Sequence, residues 1–479
     1  MSRVLILGGG VAGLAAGIFA AKAGHQVTVC EQHAIAGGNL TGWDRKGYHI
    51  DNCIHWLTGT NPHCSLYDLW EELGALGKDI PVYQAPSLYA YEHEGRRIAL
   101  ERDLNSTINR MLTACPKDAK EIIRLRKAVE NVMYLENVGG RHHDLGPDVL
   151  RLLKIGTALL RYHRYTTTTI EKKFSDPLMK GFFSCMMGPD FSMAAFLYVA
   201  ATFCSGNGGI PEGSSTAMAG RMADRLISLG GTLLTGKKAV KLNVQGNEVA
   251  SVTFSDGDEI SADHFICTMD PAMLFGSKLK ELPMPRSLKR LYENKRFPRF
   301  SALHGAYALE GELPFKGTLV LDIPREKRKL LGGNQLILRE FSHEKSFAPE
   351  GKHLIQTMVY NGEKQARRLT QMAEHREEYL KEKQAMGKAM QQMLEERFPQ
   401  LQGRLSGLDI WTPASYARYV GTEIGSFMSF VLPAGGIPRS LSQKVPGLKN
   451  LVLAGQWLTP PGGLPIAAMQ GKQAAASLH

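Results

Sequence analysis

The order of apolar and small-residue segments at the start of the chain predicts a strand, a helix and a second strand. Residues 4–7 form a short apolar run, and a glycine cluster follows at 8–10. Residues 11–23 are mostly small and apolar and are followed by a glycine, as at the end of a buried helix. Residues 26–30 again have the pattern of a strand. About 30 residues is the length of a βαβ unit, so we predict that the chain opens with a parallel α/β domain.

From about residue 66 to residue 203 the pattern is mainly helical and richer in charge. Separate helices are predicted over residues 66–76, 104–114, 119–135 and 148–162. The regular alternation of strand and helix is lost in this part of the chain, which indicates a second structural unit.

The α/β pattern returns after a glycine cluster at 206–209. Residues 214–229 predict a helix, and three strand-like runs follow at 239–244, 249–254 and 260–269. The turns between these runs contain Gly-Asn and Asp-Gly pairs, which favour tight hairpins. We therefore predict a meander whose last strand rejoins the parallel sheet.

The later part of the chain changes character twice more. Residues 301–309 and 354–360 have the pattern of strands, and residues 365–397 carry charges throughout and predict one long, solvated helix. An apolar strand at 451–454 leads into a turn rich in glycine and proline, and a last helix is predicted over 465–476.

Two interleaved domains account for these changes. We predict a cofactor domain from residues 1–65, 205–285 and 411–479, and a second domain from residues 66–204 and 286–410. The chain has 479 residues, of which 43% are hydrophobic and 22% charged, a composition that supports two or three globular cores.

Composition also limits the location and partners of the protein. No stretch reaches the roughly 18 uninterrupted apolar residues of a membrane-spanning helix, and the first residues do not resemble a cleavable signal. The seven cysteines form no CxxC pair, which favours reduced thiols, so we expect a cytoplasmic protein. The net charge of +11 attracts anions in general, but no interleaving of aromatic and basic residues indicates a nucleic-acid partner. The sequence gives no indication of the oligomeric state.

The glycines after the first strand form the motif GxGxxG at Gly8, Gly10 and Gly13. Such glycines let the backbone approach a pyrophosphate at the N-terminus of a helix, where unpaired N–H groups favour anions. Glu31, 18 residues after Gly13, can accept hydrogen bonds from ribose hydroxyls. A purely structural glycine turn is one alternative and NAD binding is a stronger one. The second glycine doublet, Gly37 and Gly38, favours FAD because it can close over the same pyrophosphate.

Several motifs in chain order resemble the flavin-containing superfamily of phytoene desaturases, carotenoid isomerases and retinol saturases and, more remotely, the amine oxidases. The segments that carry the resemblance are residues 6–32, 37–59, 206–244, 412–426 and 451–475. The resemblance implies a Rossmann-like FAD-binding α/β domain with an interleaved α+β substrate domain.

The resemblance also implies the residues that bind FAD. Those around the pyrophosphate and the adenosine ribose would be Gly8, Gly9, Gly10, Val11, Ala12, Gly13, Glu31, Gln32, Gly37, Gly38, Asn39 and Leu40. Val240 would contact the adenine through its backbone, and Gly455 and Gln456 would lie beside the ribityl chain. Gly463, Leu464, Pro465 and Ile466 would lie at the flavin ring, where the start of the last helix stabilises negative charge.

Two positions depart from the family. Asn39 stands where the family commonly has arginine, so a charged contact is replaced by a hydrogen bond. Gln456 stands where the amine oxidases commonly have an acid. The absence of that acid favours the carotenoid and retinoid side of the superfamily.

The leading hypothesis is therefore an FAD-dependent oxidoreductase that desaturates, saturates or isomerises double bonds of a hydrophobic polyene or isoprenoid. Such chemistry needs mainly a dry slot beside the flavin. The resemblance implies that the end of the segment 37–59 approaches the flavin, so His55 and Trp56 are candidates for the wall of this slot, and a plain core or surface role for them stays open. No second GxGxxG follows a strand, so the electron donor or acceptor would be oxygen, a quinone or a mobile carrier.

Three local features have competing interpretations. The histidines, cysteines and acid at 49–64 do not have metal-ligand spacing, and we predict no metal there. The basic amphipathic segment 149–165 can lie on an anionic membrane and admit a hydrophobic substrate, or pack on the core. The apolar run 193–203 can line a substrate channel or belong to the core.

Two other functions stay open at this point. One is an amine or amino-acid oxidase on the same scaffold, which would release hydrogen peroxide with amines. The other is a flavin-binding protein that serves as a partner without turnover.

Overall fold

The computed structural model describes residues 1–138, 149–185, 188, 190–278, 282–436 and 439–478. Its strands, in chain order, are β1 (Arg3–Leu7), β2 (Gln26–Cys30), β3 (Gly42–Arg45), β4 (Tyr48–Asp51), β5 (Leu57–Thr58), β6 (Val82–Tyr83), β7 (Ser87–His93), β8 (Arg96–Glu101), β9 (Gly208–Pro211), β10 (Thr232–Leu234), β11 (Ala239–Gln245), β12 (Glu248–Phe254), β13 (Glu259–Ser261), β14 (His264–Cys267), β15 (Phe300–Glu310), β16 (Thr318–Asp322), β17 (Gln335–Glu340), β18 (Lys352–Gly362), β19 (Leu405–Trp411) and β20 (Leu451–Leu453).

The α-helices connect and cover these strands. In chain order they are α1 (Val11–Lys22), α2 (Ser65–Glu72), α3 (Leu104–Ala114), α4 (Ala119–Val138), α5 (Val149–Tyr162), α6 (Pro177–Phe182), α7 (Met193–Cys204), α8 (Ser214–Ser228), α9 (Pro271–Met273), α10 (Arg286–Glu293), α11 (Arg325–Leu331), α12 (Glu363–Met372), α13 (Arg376–Arg397), α14 (Pro413–Val420) and α15 (Leu464–Ala476). No helix in the described ranges is long and apolar enough to cross a membrane.

The first sheet is parallel and has the strand order β10-β2-β1-β14-β20. β1 pairs with β2 on one side and with β14 on the other, both in parallel register. Residues 4–7 are fully buried because helices cover this sheet, which explains their continuous apolar pattern. The predicted βαβ unit and the Rossmann-like α/β class are confirmed.

The small residues of α1 allow it to approach its neighbours closely. A Cβ atom at Gly17 would lie 3.0 Å from both Leu226 and Val29, and one at Gly471 of α15 would lie 2.3 Å from the carbonyl of Ala12. The sequence VAGLAAGIFAAK thus specifies a helix enclosed between the sheet, α8 and α15.

The meander β11-β12-β13 is antiparallel, as predicted, but the expected single strand at 260–269 is wrong in detail. It consists of β13, which pairs with β12 of the meander, and β14, which pairs with β1 of the parallel sheet. The chain changes sheets between them, where the backbone N–H of Asp263 donates to the carbonyl of Arg3.

The second large sheet has the order β19-β15-β18-β17-β16-β7-β8. Only β16 and β7 pair in parallel among its described neighbours; the other pairs are antiparallel. The hairpin β7–β8 lies in the region that the sequence predicted to be mainly helical. Its turn, Glu94-Gly95, has positive φ at both residues, a conformation more often signalled by Asn-Gly.

The long charged segment at 365–397 is two helices, α12 and α13, rather than one. The helix is interrupted at residues 373–375, and His375, the residue before α13, has non-helical backbone angles. The charges indicated a solvated face, and the structure shows that α13 also has a buried one, which contains Met386, Met390 and Leu394. Their spacing of four marks one apolar face, which the charges around it obscured.

A short pairing also joins the sequence ranges that were assigned to different domains. In a small three-stranded sheet, β9 pairs with β5 of the cofactor domain and with β6 of the second domain. The limits of the two domains themselves remain a prediction.

Candidate functional site

A cavity of about 970 Å³ lies at the carboxyl ends of the parallel strands. This is the edge at which open α/β sheets commonly bind ligands. The predicted residues that line it are Gly8, Gly10, Val11, Ala12, Glu31, Gln32, Gly37, Gly38, Asn39, Leu40, His55, Trp56, Gly455, Gln456, Gly463, Leu464, Pro465 and Ile466. Gly9, Gly13 and Val240 are not part of the lining.

The first glycine loop is shaped by contacts that exclude side chains. Gly8 has a φ of +104°, and a Cβ at Gly13 would lie 1.8 Å from the carbonyl oxygen of Gly8. The lack of a side chain at Gly13 therefore lets α1 pack closely against the turn at Gly8, and Gly13 does not line the cavity. α1 has no side-chain N-cap and no acid in its first turn, so its first N–H groups are available to an anion.

The second glycine doublet rests on the first loop. The N–H of Gly37 donates to the carbonyl of Gly9 at 2.8 Å, and a Cβ at Gly38 would lie 3.2 Å from the Cα of Gly10. Both residues of the doublet have positive φ. The structure thus brings the two loops together, as the sequence predicted for a shared ligand.

Glu31 is buried at the end of β2 and is held by two backbone donors. Its Oε2 accepts from the N–H of Gly9 at 2.8 Å, and its Oε1 accepts from the N–H of His33 at 3.0 Å. Nearby, the cavity is lined by Lys237, Lys238 and Ala239. Their neighbour Val240 is 37% exposed.

A third loop meets the first two through side-chain amides. Gln456 Oε1 accepts from the N–H of Gly463 at 3.1 Å, and its Nε2 donates to the carbonyl of Phe427 at 3.1 Å. Asn39 Nδ2 donates to the same carbonyl, while Asn39 Oδ1 is buried with no protein partner. The start of α15, like that of α1, has no acid in its first turn.

The opposite wall contains the predicted His55 and Trp56 together with residues that the sequence analysis missed. His304 of β15 and Tyr416 of α14 both line the cavity. The Tyr416 hydroxyl lies 3.1 Å from His304 Nε2 and donates to Asn52 Oδ1 at 2.8 Å. His304 was inside a predicted strand, and Tyr416 was inside the motif at 412–426, but no local pattern related them to His55.

Burial keeps the two histidines of this wall uncharged. It lowers the pKa of His304 to about 3 and that of His55 well below its usual value, and the positive charge of Arg339 lowers both further. Either imidazole therefore has an unprotonated nitrogen at neutral pH.

Apolar residues form much of the remaining cavity wall, which also contains polar residues such as His163, Tyr360 and Thr422. The apolar residues are Leu159, Ala194, Ala195, Val199, Met358, Phe427, Met428 and Leu432. Helix α7 takes part with one face only, because Phe196, Leu197 and Phe203 on its other side belong to the core. One face of α7 thus lines the cavity, and the opposite face belongs to the core.

The polar strand before His55 has a structural role in its described contacts. Asp51 accepts hydrogen bonds from Ser214 Oγ at 2.8 Å and Ser215 Oγ at 3.1 Å, which join β4 to the start of α8. His49 Nδ1 lies 2.7 Å from Asp44 Oδ1. These partners account for both side chains without a ligand.

The cavity fits a flavin dinucleotide by its own features. Its volume is within the range of cofactor sites, and glycines keep the strand ends open where a Cβ would block them. Two helix N-termini without acids and the unpartnered Asn39 Oδ1 supply donors and an acceptor at the loops.

Proteins named for carotenoid chemistry are similar to this chain over most of its length. A phytoene dehydrogenase from Streptomyces griseus is 25% identical and aligns over 99% of this chain and 94% of that protein. A prolycopene isomerase from Daucus carota is 21% identical over 88% of this chain and 71% of that protein. A 4,4'-diaponeurosporene oxygenase from Staphylococcus haemolyticus is 21% identical over 100% of this chain and 97% of that protein.

Solved structures share the fold at low identity. An oxidoreductase from Methanosarcina mazei matches with a TM-score of 0.59 and 16% identity, covering 99% of this chain and 100% of that one. Cyclohexylamine oxidase from Brevibacterium oxydans matches with a TM-score of 0.59 and 14% identity, covering 99% and 98%.

The resemblance described from the motifs is confirmed across the chain. The residues from 11 to 479 match the family described as flavin containing amine oxidoreductase. The protein is accordingly a flavin-dependent oxidoreductase, and its chain belongs to the flavin containing amine oxidoreductase family.

Proposed function

We propose that the protein binds FAD and acts on carbon–carbon double bonds of a hydrophobic polyene or isoprenoid. The observation that carries this proposal is the apolar wall opposite the glycine loops. A cavity of about 970 Å³ has room for part of an extended hydrocarbon beside the cofactor. The names of the carotenoid-related proteins similar to this chain support the same substrate class.

The chain's own residues suggest how FAD is held. The N–H groups at the start of α1 and the loop at 37–40 would bind the pyrophosphate, and Glu31 would accept from the ribose. The adenine contact predicted at Val240 is better supported at Ala239, which lines the cavity. The start of α15 would lie at the flavin ring. When bound, FAD supplies hydride acceptance or donation next to the substrate.

The carboxylates of the cavity support a neutral substrate over an amine. Among the described lining residues the only carboxylates are Glu31 and Asp270. Glu31 is occupied by two backbone N–H groups. Asp270 accepts from the N–H groups of Ala272 and Glu423 and from the Tyr292 hydroxyl, and its burial raises its pKa. Glu31 is assigned above to the ribose and Asp270 is held by three protein donors, so neither carboxylate is left for a substrate ammonium group.

The decisive experiment follows the absorbance of the purified protein under anaerobic conditions. Polyenes, fatty acids and amines would be added in turn to the oxidised and to the chemically reduced protein. We expect a polyene to bleach the oxidised protein or to restore colour to the reduced one. The mass of the product separates the reactions, because a change of two hydrogens indicates redox chemistry and an unchanged mass with altered retention indicates isomerisation.

Three results would contradict this proposal. Bleaching by amines with release of hydrogen peroxide would indicate an amine oxidase. Flavin that responds to no substrate or reductant in a protein that binds a partner would indicate a non-catalytic role. A colourless protein that takes up no FAD would exclude the cofactor assignment.

We also propose that the hydrophobic substrate enters from an anionic membrane surface at α5. Leu153 and Leu160 are 61% and 68% exposed beside Lys154 and Arg161, while Leu159 of the same helix lines the cavity. This combination is typical of a helix that lies on a membrane.

Flotation with anionic vesicles tests this surface. The fraction of protein that floats should decrease in the variant L153S/L160S but not in I227S, a control at another exposed apolar residue. Equal binding of all three proteins would contradict the proposed surface.

A further inference from the structure

A second, much smaller cavity lies behind the wall formed by His55 and His304. Its volume is about 10 Å³, which is close to that needed by one water molecule. Both histidines and Asn52 line this chamber as well as the main cavity, so their side chains separate the two spaces. Arg339 and Gln356 line its far side.

Arg339 is a buried cation with few partners. It is 7% exposed, its Nη2 donates to the carbonyl of Ile54 at 2.8 Å, and its guanidinium lies 4.9 Å from the ring of Phe341. The buried carboxylate of Asp51 lines the same small cavity, and both Asp51 and Glu340 interact with the charge of Arg339. Neither carboxylate forms an ion pair with Arg339 among the described contacts, so this charge is only partly compensated.

The groups around the small cavity differ in how firmly they are held. The His304 ring stacks on Trp411 at 4.6 Å and its Nε2 lies 3.1 Å from the Tyr416 hydroxyl. The ring of His55 makes no hydrogen bond within the described protein. Gln356 Nε2 is buried without a partner. His304 is therefore fixed, whereas His55 is free to exchange a proton with an occupant of either cavity.

A dehydrogenation at neighbouring carbons requires a group that accepts a proton. One C–H bond breaks and its electron pair forms the new double bond, and the released proton must bond to a base. The other hydrogen leaves with its electron pair to the flavin, so that atoms and electrons balance. A neutral histidine next to the substrate can serve as this base.

We propose that His55 exchanges this proton with the substrate, and that Arg339 is a positioning residue that acts through His55 across the small cavity. Water in the main cavity would take the proton from His55 to solvent once the product leaves. The positive charge of Arg339 opposes lasting protonation of His55, so the proton is not retained after turnover. This inference rests on the proposed reaction at carbon–carbon bonds.

The test uses variants of the full chain loaded with FAD. His55→Gln removes the proton-exchanging group, Arg339→Met removes the charge and Arg339→Lys retains it. Arg102→Met is the control, because this half-buried arginine lies 4.2 Å from the Phe203 ring and donates only to backbone carbonyls. The measurements are the FAD content, the pH dependence of the flavin bleaching rate with a polyene, and histidine ring NMR titrations of each protein.

We expect His55→Gln to lower the bleaching rate by about 10²-fold or more while FAD content is unchanged. Arg339→Met should raise the pKa of His55 in the NMR titration and shift the rate profile to higher pH. Arg339→Lys should restore both, and Arg102→Met should change neither. If Arg339→Met does not fold, Arg339→Gln removes the charge while it keeps a side chain that can donate to the carbonyl of Ile54.

Two results would overturn the inference. One is an unchanged bleaching rate in His55→Gln, and the other is the same His55 titration in native protein and Arg339→Met. Failure of the proposed function is distinct: the native protein would then respond to no polyene, whereas the NMR titration would still test the coupling between Arg339 and His55.

Discussion

The side chains of Asn39 and Gln456 donate hydrogen bonds to one acceptor, the backbone carbonyl of Phe427, each at 3.1 Å. These are the two positions at which the chain departs from the family's charged residues. Two neutral amides hold the second glycine loop, the turn that follows β20 and the apolar wall at a single point. The proposed cofactor side of the cavity and its proposed substrate side are therefore positioned by the same contact.

We expect Asn39→Ala and Gln456→Ala each to weaken FAD retention about tenfold, because each loses a hydrogen bond worth about 1 kcal/mol and loosens the shared carbonyl. The double variant should lose less than the sum, since both amides act on one acceptor. FAD dissociation constants from fluorescence titration would measure this. A shared role would be contradicted if the losses of FAD binding free energy in the two single variants added exactly in the double variant. An equal loss of FAD affinity in the control Gln391→Ala on α13 would also contradict it.

The first glycine loop gives a prediction with a control in the same chain. Gly13→Ala should destabilise the protein and abolish FAD uptake, because the new Cβ would lie 1.8 Å from the carbonyl oxygen of Gly8. Gly220→Ala, in helix α8, meets no atom within 4 Å and should stabilise the protein by about 0.5–1 kcal/mol. Thermal unfolding and FAD content check both. Retained flavin in Gly13→Ala would contradict the close approach of α1.

His304 makes stability depend on pH in a predictable direction. Its pKa is lowered to about 3 by burial, so in acid the unfolded chain binds a proton that the folded chain does not. The contribution of neutral His304 to the free energy of unfolding is therefore present above about pH 6.5 and is lost as the pH falls towards 3. By pH 5 the loss is about 2 kcal/mol for this histidine alone.

Urea unfolding of native protein and His304→Asn at pH 7 and pH 5 tests this direction. The variant should be less stable at pH 7, because its contacts with Tyr416 and Trp411 are lost, but should lose about 2 kcal/mol less on acidification. An identical pH dependence in the two proteins would mean that His304 is protonated in the fold.

The cofactor half of the site was predictable because its signals are local. Gly8, Gly37 and Glu31 have backbone or hydrogen-bonding roles that a short motif specifies, and chain order then relates one motif to the next. The backbone contact carried over from a motif to Val240 stays a prediction, and its neighbour Ala239 lines the cavity.

On the opposite wall the sequence indicated His55 and Trp56 but not their neighbours. His304 and Arg339 are brought together by the pairing of β15 and β17 with β18, strands that are remote in sequence. The loop that contains His55 joins them where Arg339 donates to the carbonyl of Ile54. Arg339 looked like any charged residue ending an apolar strand. The hairpin β7–β8 was missed as well, since alternation over seven residues was outweighed by the helical pattern on both sides.

Arg299 supplies a prediction about how the apolar wall is held. It is 2% exposed, with Nη1 2.7 Å from Glu423 and Nη2 3.1 Å from Glu363. Glu423 precedes the segment that contains Phe427, so this arginine ties the wall to the second sheet. Arg299→Met would leave two partly buried carboxylates with only Arg367 as a partner, and we expect a loss of about 3–5 kcal/mol in unfolding free energy.

The matched control is Arg126→Met, which removes an exposed helical ion pair with Glu130. Such pairs contribute about 0.3–0.5 kcal/mol, so this variant should be nearly as stable as the native protein. Urea unfolding measures both, and FAD affinity should fall in Arg299→Met because Phe427 positions Asn39 and Gln456. If Arg299→Met loses stability without losing FAD affinity, the wall and the glycine loops are independent, and the shared acceptor at Phe427 would not couple them.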